Sequence, residues 1–144
     1  MRYRLLPLLF SLLALASVAR AQYSKTIHTT FEARGVDRVD IRVVDSLTVE
    51  HWAGDMILVQ TDVRVYRATE GLFKYLVGEA DRYGVTGSRD GATLHLQSAV
   101  PDRKIIEASA GTLREETRVK VLLPEEFSGE GAGPYVRQTE DAGR

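Results

Sequence analysis

Strict alternation of apolar and polar residues, repeated in separate stretches, constrains this chain more than any other feature. In "VDRVDIRVVD", Val39, Ile41 and Val43 are apolar, while Arg38, Asp40 and Arg42 are charged. Successive side chains of an extended chain point to opposite faces, so a period of two marks a strand with one wet face. Leu47, Val49 and His51 continue the inward phase after a break at Val44-Asp45-Ser46. Ile57, Val59, Thr61, Val63 and Val65 then alternate with Leu58, Gln60, Asp62, Arg64 and Tyr66. Between the two runs stands "HWAGD", which carries the only tryptophan, Trp52. Gly54 predicts a turn there, and the flanking runs predict a hairpin whose Trp52 ring covers the edge of the core.

A second hairpin is predicted around Asp90-Gly91, between residues 83–87 and 92–98, because Asp-Gly favours tight two-residue turns. Leu94 and Leu96 would face inward, His95 and Gln97 outward. Val119, Val121 and Leu123 mark a last long strand closed by Pro124, and residues 104–109 read as a shorter one. One segment departs from the rule: Leu72, Phe73, Leu76, Val77 and Ala80 recur at spacings of three and four. That spacing gives one apolar helical stripe, with Thr69 as its N-cap. Residues 128–144 hold Gly129, Gly131 and Gly133 with no apolar period, which predicts a flexible tail.

These runs predict a mainly β domain over residues 22–127: a twisted antiparallel sheet or two-layer β roll of about six to eight strands with one short helix. Its core would draw on Val39, Ile41, Val43, Leu47, Val49, Trp52, Ile57, Val59, Val63, Val65, Phe73, Leu76, Leu94, Leu96, Val119, Val121 and Leu123. Each large side chain buried contributes about 1.5–3 kcal/mol against the entropy of the ordered chain.

The first 21 residues, "MRYRLLPLLFSLLALASVARA", read differently. Arg2 and Arg4 precede an apolar run that ends in Ala19-Arg20-Ala21. A basic start, a short apolar core and a small-x-small end describe a secretory signal peptide cleaved after Ala21. The run is too short for a transmembrane anchor, which needs about 20 apolar residues. Export to a bacterial periplasm or cell surface is therefore expected. Cleavage would remove three arginines and no acid, taking the net charge from −1 to −4. That balance does not favour nucleic acid, whose recognition needs clustered positive charge. With no cysteine, thiolate chemistry and disulfides are excluded, and packing alone must hold the domain.

A search for catalytic constellations yields none. His28, His51 and His95 are far apart in sequence and predict no metal site. His51 and Asp55 flank the first turn, but no serine lies in a nucleophile-elbow context, since "GSRDG" lacks the required order. Glu115-Glu116 and Glu125-Glu126 are adjacent pairs, which on a strand face opposite ways and so do not converge on one substrate atom; all four read as solvated charge. Arg64, Arg67, Lys74, Arg82, Arg89, Arg103, Lys104, Arg114, Arg118 and Lys120 are interleaved with acids and read as a solvated sheet face. No phosphate loop, dinucleotide fingerprint or calcium loop is present, and no cofactor is implied. Trp52, Tyr66, Tyr75 and Tyr83 remain as aromatic candidates for binding a glycan or peptide, with completion of the core or a strand edge as the competing role.

The layout as a whole resembles the N-terminal part of exported bacterial adhesin-like and auto-transporter adhesin-head domains of unknown function. The resemblance runs from about Thr26 to Phe127, through "ILVQTDVRV", "LFKYLVGEADRYGV", "DGATLHLQ", "PDRKII" and "RVKVLLPEEF". Trp52, Gly54, Asp55, Leu72, Phe73, Tyr75, Tyr83 and Pro124 carry it. It implies an all-β fold that begins a stack of short rungs, and a structural or adhesive role in the cell envelope. Relatives continue through repeated strands after the last Leu-Pro, whereas this sequence turns into its glycine-rich tail. Its last long strand would then offer an unpaired edge to a second copy.

Overall fold

The computed structural model describes residues 22–139. The signal-peptide reading concerns residues 1–21 and so lies outside the described residues. The chain runs β1 (Gln22–Glu32), β2 (Arg38–Arg42), β3 (Ser46–Trp52), β4 (Met56–Tyr66), α1 (Glu70–Val77), β5 (Val85–Asp90), β6 (Thr93–Ser98), β7 (Glu107–Ala108), β8 (Gly111–Thr112), β9 (Arg114–Pro124), β10 (Phe127–Ser128) and β11 (Tyr135–Arg137). Among the described residues the fold is mainly β with one short helix, as the sequence pattern predicts.

Two sheets form the body. One has four strands in the order β1-β4-β9-β3, and the other five in the order β10-β11-β2-β6-β5. Each mixes antiparallel pairs with one parallel pair, β3 with β9 and β2 with β6. Ile57, Val59, Val119, Val121 and Leu123 from the first sheet share one buried cluster with Val39, Ile41, Val85, Leu94, Leu96, Phe127 and Tyr135 from the second. The inner faces therefore pack as a sandwich. Chain geometry explains the break at Val44-Asp45-Ser46, where the chain leaves β2 in one sheet and enters β3 in the other.

The hairpin expected around "HWAGD" does not form. The turn is present, but β9 lies between β3 and β4: Val49 and Val59 both pair with Val121 from opposite sides. Local alternation cannot reveal a strand inserted from elsewhere in the chain. The same placement corrects the free edge expected of the last long strand, because β9 is interior.

Trp52 is also not a core residue. Leu47 and Val49 point inward and pack against the core, so Trp52, of opposite parity, lies on the outer face. Its indole N–H donates to the Met56 carbonyl at 2.9 Å. Gly54 is required here by space and not by a left-handed backbone, because a Cβ at that position would overlap the indole ring. Gly54→Ala is expected to displace the ring, break the Met56 hydrogen bond and cost about 1–2 kcal/mol. A red-shifted tryptophan emission with a lowered urea midpoint would show this; an unchanged emission would contradict it.

The second hairpin forms one residue later than expected: Asp90 belongs to β5 and pairs with Thr93, so the two-residue turn is Gly91-Ala92 and not Asp90-Gly91. Gly91 has a φ of 60°, the positive value that the first central residue of a type II′ turn demands. Phe31 of β1 lies on Gly87 of β5, and the Arg89 guanidinium donates to the Glu32 and Arg34 carbonyls, closing the sandwich along one side. On the other side His51 donates from Nε2 to the Phe127 carbonyl. The helix starts at the expected cap, where the Thr69 hydroxyl accepts from Leu72 N–H. Phe73 and Leu76 turn inward and cover Val63, Val65, Tyr83 and Leu113 as a second buried cluster. The strand expected at residues 104–109 shrinks to β7, which pairs only with β8.

The glycine-rich end is not a loose tail over its described length. Tyr135 pairs with Val39 and is buried, and β11 extends the five-stranded sheet. Arg137 donates to the Ala33 and Val36 carbonyls at 2.6 and 2.8 Å and pairs with Glu126 at 2.7 Å. Glycines and scattered charge conceal this strand because it contributes a single apolar anchor.

Candidate functional site

The outer face of the four-stranded sheet presents the polar phase of each alternation to solvent. Cross-strand register sets Ser24, Arg64 and Glu116 in one row, and Thr26, Asp62 and Arg118 in the next. Together with Lys25 these residues line an open trough of about 530 Å³. The Thr26 hydroxyl donates to Asp62 Oδ1 at 2.6 Å. That bond holds the Asp62 carboxyl below its ordinary pKa, against a small opposing effect of burial and with help from Gln60, Lys120 and His28. Asp62 is therefore a fixed anion. Glu116 accepts from Arg114 at 2.6 Å and from the Tyr66 hydroxyl at 3.4 Å. Farther along the face Lys120 pairs with Glu50 at 3.1 Å. Among the described residues Lys25, Arg64 and Arg118 enter no ion pair.

A second polar assembly is buried behind that sheet. Arg82 clasps Glu115 with two bonds of 2.6 and 2.9 Å, and Tyr83 donates its hydroxyl to the same carboxylate. Arg103 grips Asp45 with bonds of 2.6 and 2.7 Å and lies over the Tyr83 ring. Each arginine also donates to the other's segment, Arg82 to the Lys104 carbonyl and Arg103 to the Arg82 carbonyl. Burial tends to raise the Glu115 pKa, but the bonds from Arg82 and Tyr83 and the charges of Arg82 and Arg103 together hold it below the ordinary glutamate value. Burial, then Glu115, raises the Tyr83 pKa, keeping its hydroxyl protonated as a donor. The assembly ties the crossover at Asp45, the segment after α1, the loop after β6 and the start of β9. Its groups satisfy one another, which is the signature of a structural clasp.

The four aromatic candidates do not converge. Tyr83 is fully buried, so it offers no surface; its role is in the core and the clasp. Tyr75 is exposed on the helix. Trp52 and Tyr66 share the outer face but stand at opposite ends of it, roughly 30 Å apart at the rise of a strand. Of the four, only Tyr66 reaches a trough residue, through the 3.4 Å bond from its hydroxyl to Glu116, and the Arg114 guanidinium lies 5.2 Å above its ring. Arg82, Arg103 and Glu115 are corrected likewise, from solvated charges to members of the clasp. Glu115 and Glu116 keep the opposite facing expected on a strand, inward and outward, whereas Glu125 and Glu126 lie in the turn between β9 and β10 and not on a strand.

The histidines have separate settings: His51 on the Phe127 carbonyl, His95 3.4 Å from Asp40, and His28 on the outer face opposite Gln60. Among the described residues no three His, Cys, Asp or Glu side chains group to hold a metal. Asp55 lines a smaller hollow of about 220 Å³ with Glu126 and Arg137. No helix among the described residues is long and apolar enough to cross a membrane.

The trough residues were within reach of sequence reasoning only in part. Arg64 and Arg118 flank the inward Val63, Val65 and Val119, so their outward direction follows from parity. Their meeting depends on the β4–β9 register, which the sequence pattern does not encode. Fold and site together define a two-sheet mixed β sandwich with a polar outer face. No family model, curated protein or solved structure matches the chain.

Proposed function

We propose that this chain is a non-enzymatic module of the bacterial cell envelope, exported to the periplasm or cell surface, where it serves a structural or adhesive role. The observation that carries the reading is the outer sheet face: an open polar trough presented on a sandwich whose two sides are closed by Arg89 and His51. A rigid sheet displaying exposed, uncommitted side chains suits reversible attachment to a surface partner. The signal-like leader and the resemblance to adhesin-like domains agree with it. The partner is an envelope glycan or protein, and neither nucleic acid nor a cofactor enters the role. Self-association through an edge strand would fall to β1, whose eleven residues pair with β4 on one side.

The alternative, a small periplasmic domain for a glycan or peptide ligand, gains from the trough and loses an aromatic platform, because Trp52, Tyr66, Tyr75 and Tyr83 do not converge. Cosedimentation of the purified chain with washed envelope material tests the leading reading. The folded chain should pellet with the material while a heat-denatured sample treated alike gives only background. A chain that stays wholly in the supernatant would overturn it, as would a hydrolytic activity abolished by changing His51 or Asp55.

A further inference from the structure

We infer that the trough is a site for acidic saccharide, engaged through Arg64 and Arg118; this deepens the attachment reading above and rests on it. The cations of the outer face divide into two sets. Arg114 and Lys120 are committed to Glu116 and Glu50, whereas Arg64 and Arg118 face the trough with no ion-pair partner among the described residues. They sit diagonally across the β4–β9 pair, with Cβ atoms about 7 Å apart. Both guanidinium forks can thus reach one carboxylate, or two on neighbouring sugars, and such forks match a carboxylate by two parallel bonds.

The groups between the arginines narrow the ligand class. Asp62 is held ionised, with Oδ1 accepting from Thr26 and Oδ2 from the Gln60 amide at 3.3 Å, which leaves one further lone pair on Oδ2 for a ligand hydroxyl. Ser24 contributes a hydroxyl to the same wall. Acceptors interleaved with cations suit a ligand that alternates hydroxyl donors with single carboxylates, as a uronic acid does on each ring. A dense polyanion would instead meet Asp62 and Glu116 between its contacts, at a repulsive cost.

Titration calorimetry at low salt with a trigalacturonate, a neutral trisaccharide and a triglutamate peptide tests this on the intact chain. The acidic saccharide should bind, and affinity should fall as salt rises. Arg64→Gln and Arg118→Gln should each weaken it about tenfold, the loss of one charge-assisted contact. Lys74→Gln, at a helix lysine paired with Glu70 and outside the trough, should change it little, and circular dichroism should show all variants folded. Equal binding of the neutral trisaccharide, equal or tighter binding of the peptide, no binding of the trigalacturonate, or indifference to both substitutions would each overturn the inference. Cosedimentation with envelope material, retained in such a case, would leave the attachment reading standing; its loss would remove both.

Discussion

Glu115→Ala is expected to destabilise the protein by about 3–5 kcal/mol, because it strands a buried guanidinium and a buried hydroxyl at once. Arg82 is 8% exposed and Tyr83 is fully buried; Tyr83 spends its hydroxyl bond on this carboxylate, and Arg82 two of its three side-chain bonds. With the carboxylate gone, Arg82 would have to leave the Lys104 carbonyl to reach water, loosening the loop that Arg103 fastens to Asp45. Glu115→Gln keeps the shape and removes the charge, so a smaller loss of about 1–3 kcal/mol is expected. Replacing Arg82, Tyr83 and Glu115 together by Met, Phe and Leu should cost less than the single truncation, since no buried charge is then left unpaired and only the Lys104 carbonyl loses a donor. Urea unfolding of the three variants provides the comparison. A Glu115→Ala midpoint equal to that of the parent would exclude the clasp as a stabilising element.

The same carboxylate gives acid sensitivity with a definite sign. Its folded pKa lies below the ordinary value, while in the unfolded chain it returns to about 4.3. Between those values the unfolded chain binds more protons, so stability rises with pH there. Its contribution is fully present above the unfolded pKa and is lost as pH falls through the folded one. Glu115→Gln should remove that part of the acid dependence, which a series of unfolding curves below about pH 5 would resolve.

Alternation exposed the inward residues of β2, β4, β6 and β9, and the three-and-four spacing exposed α1 with its Thr69 cap. These are short-range consequences of side-chain direction, and they hold wherever one face of an element is buried. Topology was hidden for the complementary reason. Nothing near "HWAGD" encodes that β9 will enter between β3 and β4, because that choice is made by packing across the whole sandwich. The strand β1 has its own alternation in Tyr23, Ile27 and Phe31, but Lys25 and Thr29 on the same phase dilute it. Parity assigns the outward direction of Arg64 and Arg118, and separates Glu115 from Glu116. It does not reveal that Arg82, Tyr83 and Arg103 meet Glu115, since those residues lie in connecting segments without a period. The trough and the clasp are both products of register between distant strands, and charge interleaving along the chain disguised each as ordinary solvated surface.

Ending the chain at Ser128 is expected to unfold it or to lower its stability by several kcal/mol, although the removed residues read as a flexible tail. The cut deletes Tyr135, whose ring is buried beside Val39 and Phe127 in the main core; losing an aromatic of this kind costs about 3–5 kcal/mol alone. It also deletes Arg137, which holds the Ala33 and Val36 carbonyls and lies 4.7 Å above the Phe127 ring. Those carbonyls belong to the segment joining β1 to β2, so the loss would reach both sheets. Against a typical domain stability of about 5–15 kcal/mol, losses of this size remove much of the margin. Tyr135→Ala in the full chain isolates the ring's share and should lower the urea midpoint by more than half as much as the truncation. Limited proteolysis of the truncated chain should open sites in the β1–β2 segment that are protected in the intact protein. An unchanged midpoint on truncation would mean that β11 adds nothing to the sheet. A large fall reproduced mainly by Tyr135→Ala would mean that one aromatic anchor converts a glycine-rich end into a structural strand.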